Sequence, residues 1–179
     1  MKNEITGMKL RLIVMNFLQF AVWGAYLTSM GTYLFNIGLG AKIGLFYAMQ
    51  GIVSLFMPAI MGIIADRWVP AQKLYGFCHF MAAVFMVAAG WYGYVDGEAV
   101  SFGTLFTFYS LSVAFYMPTL ALTNSVAYTA LDKVKLDPVI AFPPIRIFGT
   151  IGFICSMLLT DILGFQNNYM QFFLVLALE

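Results

Sequence analysis

Charge is what this chain has least of. Only 9% of its 179 residues are charged, whereas 62% are hydrophobic and 17% aromatic, and the mean hydropathy is +0.88. An ordinary soluble domain carries about 25% charged residues, so a soluble globular fold is excluded and an integral membrane protein, with the lipid bilayer as its first partner, is indicated. A formal net charge of +1 leaves no basic surface for phosphates, which argues against nucleic acid as a partner. Cysteine is almost missing. Cys78 and Cys155 fall in different apolar runs with no CxxC or Cys/His spacing, which speaks against a disulfide framework or a metal site and leaves two small buried hydrophobes. There is one histidine, no acid pair inside an apolar run and no activated nucleophile, so hydrolytic or metal chemistry lacks its residues. The chain does not read as an enzyme, and no cofactor is called for.

What is present is a series of long apolar runs. They cover residues 12–35, 43–65, 74–94, 101–127 and 139–163, with a sixth from 169 onward. About 20 mostly apolar residues cross a bilayer as a helix, so five complete spans and part of a sixth are expected. Short connectors predict antiparallel neighbours within one helical bundle over residues 1–179. Basic residues ahead of the first run resemble a signal peptide, yet the run is too long and lacks a small-residue cleavage pattern, so it is read as a retained helix. Lys2, Lys9, Arg11, Arg67, Lys73, Lys133 and Lys135 share one side of the expected topology, and the opposite connectors hold Lys42 with Asp96, Glu98 and Asp161. Lysine and arginine concentrate on the cytoplasmic side, which places the amino terminus there.

The fifth run contains Phe-Pro-Pro-Ile-Arg-Ile-Phe-Gly-Thr-Ile-Gly-Phe, residues 142–153. Arg146, Thr150 and Phe153 stand at i, i+4 and i+7, so a helix gathers a cation, a hydroxyl and a ring on one face. That trio suits a polar, flat, ring-bearing solute. An ionisable residue inside a span is costly and marks a functional site by default. The competing reading is snorkelling, in which the long side chain bends back to the headgroups. Pro143 and Pro144 are expected at the helix start, where a missing N–H costs little. Gly149, Gly152 and Ser156 form a small-residue stripe that lets a neighbouring helix approach.

Elsewhere, Asn16, Gln19, Trp23 and Tyr26 line one side of the first run. That side either faces a cavity, making Gln19 and Trp23 solute contacts, or joins helices through hydrogen bonds. In the second run, Gln50, Ser54 and Pro58 recur at four-residue steps, and a bend near Pro58 is expected. His79 is read as a hydrogen-bonded packing residue in preference to a proton relay. Beyond Pro118, the polar Thr119, Thr123, Asn124 and Ser125 either line a pathway or satisfy backbone groups freed by the proline.

The 142–153 stretch resembles the fifth-helix signature of the nucleoside:H+ symporter family, within the major facilitator superfamily. Five other stretches resemble that family in the same order: 17–20 with Trp23 and Gly24, 56–59, 62–68, Cys78 with His79, and 116–120. The resemblance implies an all-α membrane protein, the amino-terminal six-helix half of a major facilitator transporter built as a three-plus-three inverted repeat. It implies Arg146, Thr150 and Phe153 as nucleoside contacts and the proton as coupling ion. Gly62, Asp66 and Arg67 resemble the superfamily's cytoplasmic gating motif, although Val69, Pro70, Ala71 and Gln72 depart from it before Lys73. Gly62 would permit close helix contact; the competing reading is an ordinary charged turn.

The expected function is proton-coupled nucleoside uptake across a bacterial inner membrane by alternating access. A carboxy-terminal half is the expected partner, supplying the other solute contacts and the acidic proton acceptor, because no acid in this sequence is expected mid-membrane. Alternatives are transport of another polar solute such as a sugar, and a non-transporting membrane sensor or scaffold.

Overall fold

Among the described residues, five helical segments are long and apolar enough to cross a membrane: Glu4–Asn36, Gly40–Arg67, Ala71–Asp96, Phe102–Lys133 and Pro138–Ile162. The computed structural model describes residues 2–179 without the side chains of Lys2, Asn3 and Glu98, so the share of Lys2 and Glu98 in the charge asymmetry lies outside what is described. The elements are α1 (Lys2–Tyr26), α2 (Met30–Asn36), α3 (Ile43–Arg67), α4 (Ala71–Asp96), α5 (Phe102–Lys133), α6 (Pro138–Ile162) and the short α7 (Met170–Leu178). Several run past the apolar stretches, because charged residues such as Lys9 and Arg11 of α1 continue the backbone ladder beyond the hydrocarbon. Large apolar side chains such as Leu55, Ile63, Phe80, Ile147 and Ile162 stay exposed, as expected where the solvent is lipid.

Two local expectations need correction. Residues 12–35 do not form one helix: the chain breaks between Tyr26 and Met30 without proline. Side chains from other helices, and Ser29 within the break, satisfy carbonyls there. Tyr47 Oη donates to Leu27 O at 2.7 Å, Thr160 Oγ1 lies 3.3 Å from Ala25 O, and Ser29 Oγ is 2.8 Å from both Ala25 O and Gln171 Oε1. The second correction concerns α6. Its N-cap is Asp137, whose carboxylate accepts from Val139 N at 2.9 Å, and Pro138 opens the helix. Pro143 and Pro144 therefore lie inside it. Each leaves without a donor the carbonyl four residues back, at Val139 and Ile140, and both of those residues are exposed, so the lost bonds fall where the cost is least.

The closest helix contact is between α1 and α6. A Cβ added at Gly24 would overlap the Phe153 carbonyl, and one at Gly152 would overlap the Phe17 carbonyl. Each helix thus lays a glycine against the other's backbone. Gly149, Gly152 and Ser156 are buried along this seam. On the other flank, α5 packs against α4 and α3, and α7 lies against α1 and α4. The largest core joins Tyr26, Tyr33, Phe46, Tyr109, Tyr116 and Phe172, with edge-to-face pairs such as Tyr26–Tyr116 at 6.2 Å and Tyr33–Phe172 at 5.4 Å.

A polar hub sits beside this core. Gln19 is 1% exposed; its Nε2 donates to Thr119 Oγ1 at 2.8 Å, and its Oε1 accepts from Tyr75 Oη at 2.8 Å. His79 Nε2 lies 2.9 Å from the same oxygen, which requires the ring proton on that nitrogen. Thr119 donates onward to Tyr116 O at 2.6 Å, Thr123 Oγ1 lies 2.7 Å from Thr119 O, and Tyr116 Oη donates to the Gln19 carbonyl. Thr119 and Thr123, beyond Pro118, thus belong to the packing between helices. One amide ties α1 to α4 and α5 at once.

A Cβ at Gly62 would meet nothing within 4 Å, so the space beside it is open among the described residues; Asp66 and Arg67 are exposed beside it.

Replacing Gly152 with leucine should cost about 1–3 kcal/mol by forcing α1 and α6 apart, lowering the thermal unfolding midpoint in detergent, while Gly62→Ala leaves that midpoint unchanged. Gln19→Leu should also lower it, by a cost of about 1–3 kcal/mol, because buried donors on α4 and α5 lose their acceptor.

Candidate functional site

The seam between α1 and α6 also builds the candidate site. From α6, the spacing of Arg146, Thr150 and Phe153 carries all three toward α1 or the open side beside it. Arg146 does not lie free along the helix. Its guanidinium carbon sits 3.9 Å from the centroid of the Phe20 ring on α1, well within the roughly 6 Å over which a cation is held by an aromatic face. Phe153 meets Trp23 edge-on, with centroids 6.1 Å apart and planes at 80°. Trp23 leans on Phe20 at 6.2 Å. Arg146, Phe20, Trp23 and Phe153 therefore form a continuous chain of contacts, and Thr150 stands exposed on the α6 side of it.

Arg146, Trp23 and Phe153 are each half-buried, so the cluster has one packed side and one open side. No described acid pairs with Arg146, whose five N–H donors lie in the guanidinium plane and whose guanidinium carbon has the Phe20 ring as its neighbour. The indole Nε1 of Trp23 is buried and has no acceptor among the described residues. Buried donors are almost always paired, which makes this N–H a further unused donor beside the ring contacts. The arrangement offers planar cationic donors, a hydroxyl and aromatic edges within one strip. It suits a solute with ring and oxygen functions and brings together no acid–base or nucleophilic set.

Of the five expected solute contacts, four gather here and one does not. Gln19 turns from the Arg146 cluster toward α4 and α5, where Tyr75 and His79 take up its carbonyl oxygen. Of the two readings the sequence left open for Gln19, its hydrogen bonds to Thr119, Tyr75 and His79 are those of the helix-joining one. His79 shares that network. Its Nδ1 lies 3.7 Å from the Glu179 carboxylate, whose side chain is 2% exposed, and Glu179 directly follows α7, which lies against α4. Phe20 is the residue that sequence reasoning left out of the site. Its signal was available: it stands three residues before Trp23, on the same side of α1.

A model of the family described as nucleoside H+ symporter matches residues 6–178. The nucleoside permease NupG of Escherichia coli (strain K12) is 39% identical over 176 residues, which is 97% of this chain and 40% of that protein. The xanthosine permease of the same organism is 40% identical over 168 residues, covering 92% of this chain and 38% of its own length. Crystal structures of the nucleoside transporter NupG superpose with TM-scores of 0.88 for a point mutant and 0.84 for a second structure, each covering 96% of this chain and 41% of that one. The fold is that of the amino-terminal part of a major facilitator transporter. The chain spans about 40% of the length of these relatives. A family match that runs from one end of the helical bundle to the other, joined to the same fold at 39% identity, makes this chain a member of the nucleoside H+ symporter family.

Proposed function

We propose that this chain is the amino-terminal part of a proton-coupled nucleoside importer that works by alternating access, with no chemical conversion of the solute. The observation that carries the reading is the Arg146 guanidinium held 3.9 Å over Phe20, with Thr150 open beside it and Phe153 braced on Trp23. In this reading Arg146 and Thr150 donate hydrogen bonds to oxygens of the base or ribose, and Phe153 packs against a ring. Donors to a neutral solute are strongest when charged and partly desolvated, which is why an arginine serves here. Trp23 supports Phe153.

A carboxy-terminal half is the proposed partner. It would face the open side of the Arg146 strip and complete the solute's enclosure, and rocking of the two halves would expose the solute to each side in turn. Proton entry is the proposed driving force, as the family's description suggests. Gly62, Asp66 and Arg67 lie at the end of α3 with free space around them, and we assign them to the gate that the second half closes. The start of α1 and the turn after α5 share one end of the bundle, where Glu4, Lys133 and Lys135 line one cavity. Positive residues at that end support a cytoplasmic amino terminus in a bacterial inner membrane.

Direct titration of the full-length protein with uridine, adenosine and glucose tests the site. Nucleosides should bind and glucose should not. Arg146→Ala should weaken uridine binding by about 10- to 100-fold, the scale of a hydrogen bond to a charged group, and Thr150→Val by a few-fold. Unchanged uridine affinity in Arg146→Ala would remove the assignment. In cells, uptake of labelled uridine should collapse when an uncoupler dissipates the proton gradient; uptake indifferent to the uncoupler would sink proton coupling.

A further inference from the structure

Arg146 raises a physical question that the proposed contacts leave unanswered. A half-buried guanidinium on an apolar helix needs compensation for lost hydration, yet none of the described acids pairs with it. The contact that stands in place of a carboxylate is the Phe20 ring, 3.9 Å from the guanidinium carbon. Its chemistry differs from an ion pair in one decisive way. A carboxylate binds arginine through the N–H donors in the guanidinium plane, whereas a ring binds through the face and leaves those donors free.

The backbone is shaped for this stack. A Cβ at Gly149 would come 2.7 Å from Phe20 Cδ2 and 2.9 Å from Arg146 Nη1, so a side chain at 149 would force the ring or the guanidinium out of its present place. Phe20 is 9% exposed and leans on Trp23. The neighbouring Gln19 is anchored to α4 and α5 through Thr119, Tyr75 and His79. That anchor fixes the rotation of α1, and with it the direction of the ring.

We propose that Phe20 is the positioning residue of the solute site: its ring holds Arg146 by the face, keeps the side chain from bending back to the headgroups, and leaves the N–H donors turned outward for nucleoside oxygens. Gly149 acts with it by leaving the space the stack occupies. This rests on the reading of Arg146 as a nucleoside contact.

The test uses the full-length protein and uridine as probe, with thermal stability measured for every variant. Phe20→Leu keeps apolar bulk and removes the ring, and should weaken uridine binding about tenfold. Phe20→Tyr should restore affinity to near the starting value, which a purely space-filling role would not require. Gly149→Ala should lower affinity in the same direction as Phe20→Leu. In an Arg146→Ala background, Phe20→Leu should cause no further loss, because the ring acts only through the guanidinium. Uridine binding lost in Arg146→Ala but unchanged in Phe20→Leu overturns this inference alone, as do losses that add in the double variant. Normal binding by Arg146→Ala overturns the solute site and this inference together.

Discussion

The backbone contact of α1 with α6 is the constraint on which the rest depends. Gly24 lies against the carbonyl of Phe153 and Gly152 against that of Phe17, so the two helices approach as nearly as backbones allow. In lipid, helices gain little from hydrophobic burial against each other, and close packing by small residues takes its place. The same closeness brings Phe20 within reach of Arg146, and Trp23 within reach of Phe153. A wider seam would weaken the hold of the ring on the guanidinium.

Polar groups inside the bundle answer a different requirement. With no water to compete for them, buried amides and hydroxyls must find partners within the protein. Gln19 does so by binding three helices together, and the break between α1 and α2 does so through Tyr47 and Thr160 of other helices and its own Ser29. These arrangements hold α1 at a set rotation, so that its two faces have separate work. One joins the fold through Gln19, and the other presents Phe20 and Trp23 to α6.

Much of this was legible in the sequence. The runs of apolar residues marked the five membrane-crossing segments, since length and hydropathy decide whether a segment is stable in a bilayer. The spacing of Arg146, Thr150 and Phe153 placed them on one face, and the small residues at 149, 152 and 156 marked the seam. Less legible was which of two faces α1 would turn toward α6. Gln19 and Trp23 are one turn apart, so periodicity assigned them one role, and only the positions of Tyr75, His79 and Thr119 on other helices separate them. Pro143 and Pro144 misled for a related reason. A proline pair reads as a helix start, but the Asp137 cap and Pro138 had already begun the helix five residues earlier.

The sequence by itself determined the membrane class, the number of crossing helices, the small-residue seam and the presence of a cation, hydroxyl and ring on one helix face. These follow from composition and local period, which each segment carries without reference to the others. The tertiary structure alone decided that Phe20 lies over Arg146, that Gln19 is enclosed by α4 and α5, and that Glu179 reaches His79. Those contacts join residues far apart in the chain, and their geometry exists only once helices have chosen their neighbours and their rotations.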